Sequence, residues 1–155
     1  MANLDQCLLD AVKAAWSESF LRGLSNQDNC SGFVKSVAGK PGVPLPASAD
    51  ADGIADAVSG WTELKTGADA AREAATGRLV LAVLKGADHT PARIHGHVGV
   101  VIGGPLYREK YPKLWCGSLG GLGKSQGDKS VGEVWNRADR DNVRYVEYAS
   151  AVCPA

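Results

Sequence analysis

The apolar residues of this chain change their spacing near Arg78, and this change limits the folds that the chain can adopt. Ahead of Arg78 they recur at helical spacing, in segments around residues 4–16, 33–37, 54–58 and 68–75. Beyond it, the runs "RLVLAVLK", "HVGVVIG", "KLWCGSL" and "NVRYVEYA" are short and either apolar or alternating, which is typical of strands. Helices followed by strands predict an α+β fold, with N-terminal helices packed on a mostly antiparallel central sheet.

The length and charge of the chain restrict its organisation and its partners. A chain of 155 residues can bury a hydrophobic core large enough to fold without disulfides or metals, so we expect a single domain over residues 1–155. We also expect this domain to act as a monomer. Seventeen basic and seventeen acidic residues cancel, and no basic stripe stands out, so nucleic acid is not an expected partner. The start "MANLDQCLLDAVKAAW" lacks a basic segment and carries Asp5 and Asp10, so we expect neither a signal peptide nor a membrane span.

A cysteine lies where the second helical segment begins, in "QDNCSGFVKSVAG". Asn29 is a favourable N-cap, and the helical pattern stops at Gly39 and Pro41. Cys30 is therefore predicted to be the first helical residue, where free backbone N–H groups and the helix dipole favour a thiolate. This position suits a nucleophile, although a small apolar residue of the core is the alternative explanation.

A cysteine nucleophile needs a base, usually a histidine, that a third polar group holds in orientation. His89 and His95 lie in the polar loop between two predicted strands, where surface positions are expected. His97 begins the strand "HVGVVIG", so its side chain has a fixed direction, and Gly99 beside it would leave room for a helix end. The alternative for His97 is a half-buried histidine bonded to a backbone carbonyl.

Two segments resemble ligand-binding loops but lack the required spacing. In "GSLGGLGKS" the first glycine of a phosphate-binding loop is displaced by one residue, so we expect a flexible loop that could flank a substrate cleft. "SADADG" resembles the start of a twelve-residue calcium loop, but its first and twelfth positions would be Ser48 and Ser59, which lack the carboxylates that such a loop needs. Asp50 and Asp52 are therefore expected to form an acidic turn that caps the next helix. Tyr107 and Trp115 are further candidates for lining a cleft, although core packing explains Trp115 better.

Several segments carry a resemblance to known families. "NCSGFV" resembles the nucleophile signature of the NlpC-type papain-like cell-wall peptidases, and "HVGVVIG" resembles their histidine strand. Across nearly the whole chain, "LDQC", "DNCSGFVKSVA", "GPLYREKYPKLWCGS" and "KSVGEVWNRADRD" resemble the first family of type VI secretion amidase effectors. This resemblance implies the papain-like NlpC-type fold and the cysteine peptidase class.

The resemblance also implies an activity and the residues that carry it. Members of this family are peptidoglycan amidases that cut the stem peptide between the side-chain carboxyl of D-glutamate and meso-diaminopimelate. By position, Cys30 would be the nucleophile, His97 the general base and acid, and Cys116 the third catalytic residue. Because a neutral thiol orients imidazole less well than an amide or a carboxylate does, three polar residues are kept as alternatives for the third role: Asn136, Asp139 and Asp141.

Four cysteines permit three disulfide pairings, and their spacing does not choose among them. A bridge between Cys7 and Cys153 would tie the two ends of the chain together in an oxidising compartment, whereas two buried thiols are the alternative. The resemblance favours the bridge, because family members act in the periplasm and carry cysteines at both chain ends.

The resemblance further implies how the protein is delivered and controlled. It would be made in the cytoplasm without a signal peptide, secreted by the type VI machinery, and active in the periplasm of the target cell. A cognate immunity protein would plug its cleft, and no cofactor or metal would be needed. The alternatives are an NlpC-type hydrolase that cuts another bond, a zinc-binding module with Cys30, His97 and Cys116 as ligands, or an inactive interaction domain.

Overall fold

The computed structural model describes residues 4–153, which form five α-helices and six β-strands. The helices are α1 (Gln6–Trp16), α2 (Cys30–Gly39), α3 (Ala51–Ala57), α4 (Gly67–Ala75) and α5 (Val131–Val134). The strands are β1 (Thr62–Leu64), β2 (Arg78–Leu84), β3 (His97–Val101), β4 (Lys113–Cys116), β5 (Ser125–Ser130) and β6 (Arg144–Ala151). None of the described helices has the length and apolar character needed to cross a membrane.

All six strands join one antiparallel sheet, in the order β1-β6-β2-β3-β4-β5. Strand β2 is buried at every position after Arg78, and β3 at every position after His97. Because neighbouring side chains of a strand point to opposite faces, this continuous burial means that both faces of the central strands are covered. Helix α2 packs on β3, and α4 packs on β2 and β6. The predicted α+β fold is therefore confirmed.

The sequence pattern did not predict the two edge strands, β1 and β5. Strand β1 has only three residues, and β5 reads "SQGDKS", with a glycine in the left-handed region at Gly127. Each edge strand pairs with one neighbour and contributes few apolar side chains to the core. The alternation of apolar and polar residues that reveals a half-buried strand is therefore missing from both.

A disulfide bond joins Cys7 on α1 to Cys153 beyond β6, with 5.3 Å between the two Cα atoms. The same end of the chain is also held by hydrogen bonds, because the backbone N–H groups of Val152 and Cys153 donate to the Gly77 carbonyl at 2.9 and 3.1 Å. The sequence separation of the two cysteines is 146 residues. The first helix and the last strand are thus linked covalently.

The side chain of Asn26 joins three separate segments in front of α2. Asn26 is fully buried, and its Nδ2 donates to the Ala15 carbonyl at 2.8 Å and to Ser36 Oγ at 2.9 Å. Its Oδ1 accepts the backbone N–H of Phe20 at 2.9 Å. One amide therefore connects the end of α1, the loop after it and the body of α2.

We expect the double variant Cys7→Ala/Cys153→Ala to lose about 3 to 5 kcal/mol in the free energy of unfolding, because a cross-link over so long a loop restricts the unfolded chain. Denaturant-induced unfolding followed by circular dichroism measures the loss. A thiol reductant should weaken the wild-type protein and leave the double variant unchanged. Equal stability of the double variant and the oxidised wild type would contradict this expectation.

We expect Asn26→Ala to lower the free energy of unfolding by about 2 to 4 kcal/mol, because the Phe20 N–H and the Ala15 carbonyl would stay buried without a partner. The matched control is Asn142→Ala, since Asn142 is exposed and its amide bonds only the Ala138 carbonyl, at 3.2 Å. That control should change stability by no more than about 0.5 kcal/mol. Similar losses in both variants, measured by denaturant unfolding, would show that the buried bonds of Asn26 are unimportant.

Candidate active site

Cys30 is the first residue of α2, as predicted, and its side chain is partly exposed. Asn29 forms the N-cap, because its Oδ1 accepts the backbone N–H of Gly32 at 3.1 Å and the hydroxyl of Ser31 at 3.0 Å. Helix α2 packs on β3, and the backbone N–H of Val98 lies near enough to the Cys30 thiol to lower its pKa, against the larger opposite effect of burial. The beginning of α2 therefore meets the beginning of β3, where His97 lies.

A close backbone contact brings the segment after β4 against the turn before α2. A side chain at Gly117 would collide with the Asn26 carbonyl and would lie 3.1 Å from the Asn29 carbonyl. The backbone N–H of Ser118 donates to the Gln27 carbonyl at 3.0 Å. Glycine at position 117 thus permits the approach that places the loop of residues 117–123 beside the candidate nucleophile.

Gly99 does not have the predicted role of making room for a helix end. The space that a side chain would need there is already occupied by Leu114 and Cys116 of the neighbouring strand β4. Gly99 therefore allows close side-chain packing on the sheet, while the approach to α2 depends on Gly117.

The imidazole of His97 is half-buried, and a backbone carbonyl fixes its orientation. Its Nε2 lies 3.0 Å from the carbonyl oxygen of Gly123. A carbonyl only accepts hydrogen bonds, so the neutral ring carries its proton on Nε2 and leaves Nδ1 as the basic nitrogen. The indole of Trp135 packs edge-on against the same ring, with 5.0 Å between the ring centroids.

Cys116, the predicted third catalytic residue, lies beside this carbonyl rather than on the imidazole. Cys116 is fully buried, and its Sγ donates to the Gly123 carbonyl at 3.1 Å. The thiol and the imidazole therefore share one acceptor. In this arrangement the Gly123 carbonyl bonds the His97 ring, and Cys116 is bonded to that same carbonyl.

The three alternatives for the third role have different surroundings. Asn136 lines the cavity near His97, and its Oδ1 accepts the backbone N–H of Asp139 at 2.9 Å. Asp139 is fully buried and accepts the backbone N–H of Thr90 at 2.6 Å. Asp141 accepts the Tyr111 hydroxyl at 2.6 Å, in a cluster away from that cavity. None of the three is the residue whose oxygen bonds the His97 ring in the described part of the chain.

The prediction that His89 lies on the surface is wrong, whereas His95 is exposed. His89 is only 4% exposed, and its Nδ1 lies 2.9 Å from the Lys85 carbonyl. The polar composition of the loop indicated exposure, but the loop is bonded to other segments, since the N–H of the next residue, Thr90, donates to the buried carboxylate of Asp139. His89 lines the same cavity as His97.

Burial determines the protonation of the two candidate catalytic groups. Burial raises the pKa of the Cys30 thiol above its ordinary value, and nearby backbone N–H groups offset this only in part. Burial also lowers the pKa of His97 to about 4, because its effect is larger than that of the hydrogen bond to Gly123, which raises the pKa. Both groups are therefore neutral near pH 7. The expected thiolate is not favoured in the unliganded site, because desolvation outweighs the backbone N–H groups.

A cavity of about 450 Å³ adjoins the imidazole of His97. Its lining includes His89, Arg93, Gly120, Gly123 and Trp135. The predicted glycine loop therefore does flank a cleft. Tyr107 packs against Tyr111 and Trp115 against Trp16, so neither of these two candidates lines this cavity.

Sequence reasoning missed the two groups that contact the His97 ring, the Gly123 carbonyl and the Trp135 indole. Gly123 contributes a backbone carbonyl, for which no side chain gives a signal. Trp135 lies in the quoted segment "KSVGEVWNRADRD", but nothing in its spacing relates it to His97.

The described residues contain no group of three or more histidine, cysteine or acidic side chains arranged to hold a metal ion. Cys30, His97 and Cys116 therefore do not form the zinc site of the alternative hypothesis.

Comparison with known proteins identifies the family of the chain. No protein-family model matches it. A curated protein of Pseudomonas aeruginosa, named peptidoglycan amidase Tse1, is 54% identical over 157 residues, covering 99% of this chain and 96% of that protein. Such identity over nearly the full length of both chains extends the resemblance found in the sequence motifs. The chain therefore belongs to the Tse1-like family of type VI secretion amidase effectors.

Proposed function

We propose that this protein is a peptidoglycan amidase that acts as an antibacterial type VI effector, with Cys30 as its nucleophile. The observation that carries the proposal is the 54% identity to a peptidoglycan amidase over nearly the whole chain. The placement of Cys30 at the beginning of α2, against the beginning of β3, supports the cysteine mechanism. The bond we propose is the amide between the side-chain carboxyl of D-glutamate and meso-diaminopimelate, which the family resemblance favours.

In the first step, His97 Nδ1 accepts the proton of the Cys30 thiol as Sγ attacks the scissile carbonyl carbon. General-base attack fits the neutral state of both groups, since no ion pair has to exist before the substrate binds. The proton on His97 Nε2 stays bonded to the Gly123 carbonyl throughout. The imidazolium then protonates the leaving amine of diaminopimelate.

The negative charge on the attacked carbonyl oxygen develops at the N-terminus of α2. The Cys30 backbone N–H and the dipole of this ten-residue helix would stabilise it. Collapse of the intermediate leaves a thioester between Cys30 and the D-glutamate side chain. Water activated by His97 Nδ1 then hydrolyses the thioester and restores the thiol.

Cys116 has a supporting role in this mechanism. Its buried thiol and the His97 ring both donate to the Gly123 carbonyl, so Cys116 helps to hold that carbonyl in place. Burial raises the pKa of Cys116, which keeps its thiol protonated and able to donate.

The biological setting follows from the family. We propose that one domain over the whole chain acts as a monomer, is carried by the type VI machinery and works in the oxidising periplasm of the target cell. The disulfide between Cys7 and Cys153 suits that compartment. A cognate immunity protein that occupies the cleft would protect sister cells.

We expect Cys30→Ala to abolish cleavage of purified Gram-negative peptidoglycan, because the nucleophile is lost. Mass spectrometry of the digest should show new fragments that end in D-glutamate with the wild-type protein only. Asn142→Ala, on the exposed surface, should cleave as the wild type does. Cleavage at a different bond would retain the cysteine mechanism and refute the proposed specificity. Intact peptidoglycan after treatment with a folded wild-type protein would refute the amidase itself.

We expect kcat/KM to fall on the acid side near pH 4 and to be nearly constant between pH 5 and 8. Cleavage requires neutral His97, whose pKa is about 4, so protonation removes the base only as the pH falls through that value. Between pH 6.5 and 4 the unfolded chain binds this proton more readily than the folded protein does, so the free energy of unfolding also declines as the pH falls through this range. Circular dichroism at each pH must therefore show that the protein remains folded. An acid limb near pH 6.5 in a folded protein would contradict a buried, neutral His97.

A further inference from the structure

An arginine with no assigned role lines the cavity beside His97. Arg93 lies in the loop between β2 and β3 and borders the same cavity as the imidazole. Burial is the main cause of the low pKa of His97, and the positive charge of Arg93 contributes to it. The guanidinium therefore lies within electrostatic range of the proposed base.

The loop that carries Arg93 is anchored at several points. The backbone N–H of Arg93 donates to the Gly86 carbonyl at 2.8 Å, and the N–H of Gly86 donates to Asp52 Oδ1 at 2.9 Å. A side chain at Gly86 would collide with the Arg93 carbonyl. Further along, the N–H of Thr90 donates to the buried carboxylate of Asp139. These contacts hold the backbone of Arg93 at the edge of the cavity before any ligand binds.

No carboxylate of residues 4–153 forms an ion pair with Arg93. Glu133 is the acidic residue that lines the same cavity, but its Oε1 already accepts the Ser130 N–H at 3.0 Å. The same oxygen lies 3.9 Å from Lys113 Nζ, which partly balances its charge. Arg93 therefore borders the cavity with no carboxylate of residues 4–153 as an ion-pair partner, so its guanidinium donors are free of an internal salt bridge.

The proposed substrate carries carboxylates close to the bond that is cut. A D-glutamate linked through its side-chain carboxyl keeps its α-carboxylate free, on the residue that Cys30 would acylate. Diaminopimelate, on the leaving side, also carries a free carboxylate at the distal end of its side chain. An arginine binds a carboxylate with two parallel hydrogen bonds, which orients the substrate as well as holding it.

We propose that Arg93 binds a carboxylate of the stem peptide next to the scissile amide and thereby determines specificity for the unamidated substrate. This inference rests on the proposed amidase function. The bound group belongs either to D-glutamate or to diaminopimelate, and these two sources share one chemistry.

Three stem-peptide substrates distinguish the sources. The first has both carboxylates free, the second carries a carboxamide at the α-position of D-glutamate, and the third carries a carboxamide at the distal carboxyl of diaminopimelate. Cleavage rates give kcat/KM for the wild type, Arg93→Gln and Arg93→Lys. Arg93→Gln should lower kcat/KM about tenfold on the unamidated peptide, as expected for the loss of one charge-assisted contact at an exposed side chain. Arg93→Lys should recover part of this loss.

The decisive result is the dependence on the substrate. For the wild type, kcat/KM should be about tenfold lower on one of the two amidated peptides than on the unamidated peptide. On that amidated peptide, kcat/KM of Arg93→Gln should equal that of the wild type. The matched control is Arg137→Gln, because Arg137 is exposed and lies outside the cavity lining. It should leave all three rates unchanged.

Three outcomes would overturn the inference. The first is that Arg93→Gln cleaves all three peptides as fast as the wild type. The second is that Arg93→Gln lowers kcat/KM by the same factor on all three peptides. The third is that Arg137→Gln lowers kcat/KM as much as Arg93→Gln does. A folded wild-type protein that leaves all three peptides intact would instead refute the amidase function on which the inference rests.

Discussion

The buried amide of Asn26 is the interaction on which the geometry of the site depends. Its hydrogen bonds join the end of α1, the following loop and α2, so the turn that precedes Cys30 cannot move independently of the helix layer. The carbonyl of the same residue packs against Gly117, at the end of the sheet strand β4. Asn26 therefore links the helix that carries the proposed nucleophile to the sheet that carries the proposed base. In a buried location such bonds are costly to lose, which makes the link rigid.

Burial is the second constraint, and it changes the expected chemistry of the site. A helix N-terminus alone would favour a thiolate, yet burial raises the pKa of Cys30 and lowers that of His97 to about 4. The neutral pair avoids the cost of placing two charges in a poorly solvated site before a substrate arrives. The carbonyl of Gly123 then determines which nitrogen of His97 is basic. Orientation of the base thus comes from the backbone, with the Cys116 thiol bonded to the same oxygen.

The fold separates the parts that hold the site from the parts that meet the substrate. Helix α2 carries Cys30 and packs on the central strand β3, which carries His97, while the disulfide joins the two ends of the chain. Around them, the loop that contains Arg93 and the glycine loop that ends at Gly123 border the cavity. Changes in these loops can alter which peptide is bound without disturbing the core, because surface loops contribute less than the buried strands to the stability of the fold.

By itself the sequence determined the local features of the protein. Helical spacing predicted α1 to α4, apolar runs predicted the central strands, and the Asn29 cap placed Cys30 at the first position of α2. These features depend on residues close in the chain, so their patterns are visible without the fold. The edge strands β1 and β5 lacked such a pattern. Only the tertiary structure decided the burial of His89, the neutral state of the thiol and the imidazole, and the bond from His97 to Gly123. Burial and backbone contacts of this kind arise between segments far apart in the chain, and no spacing of side chains encodes them.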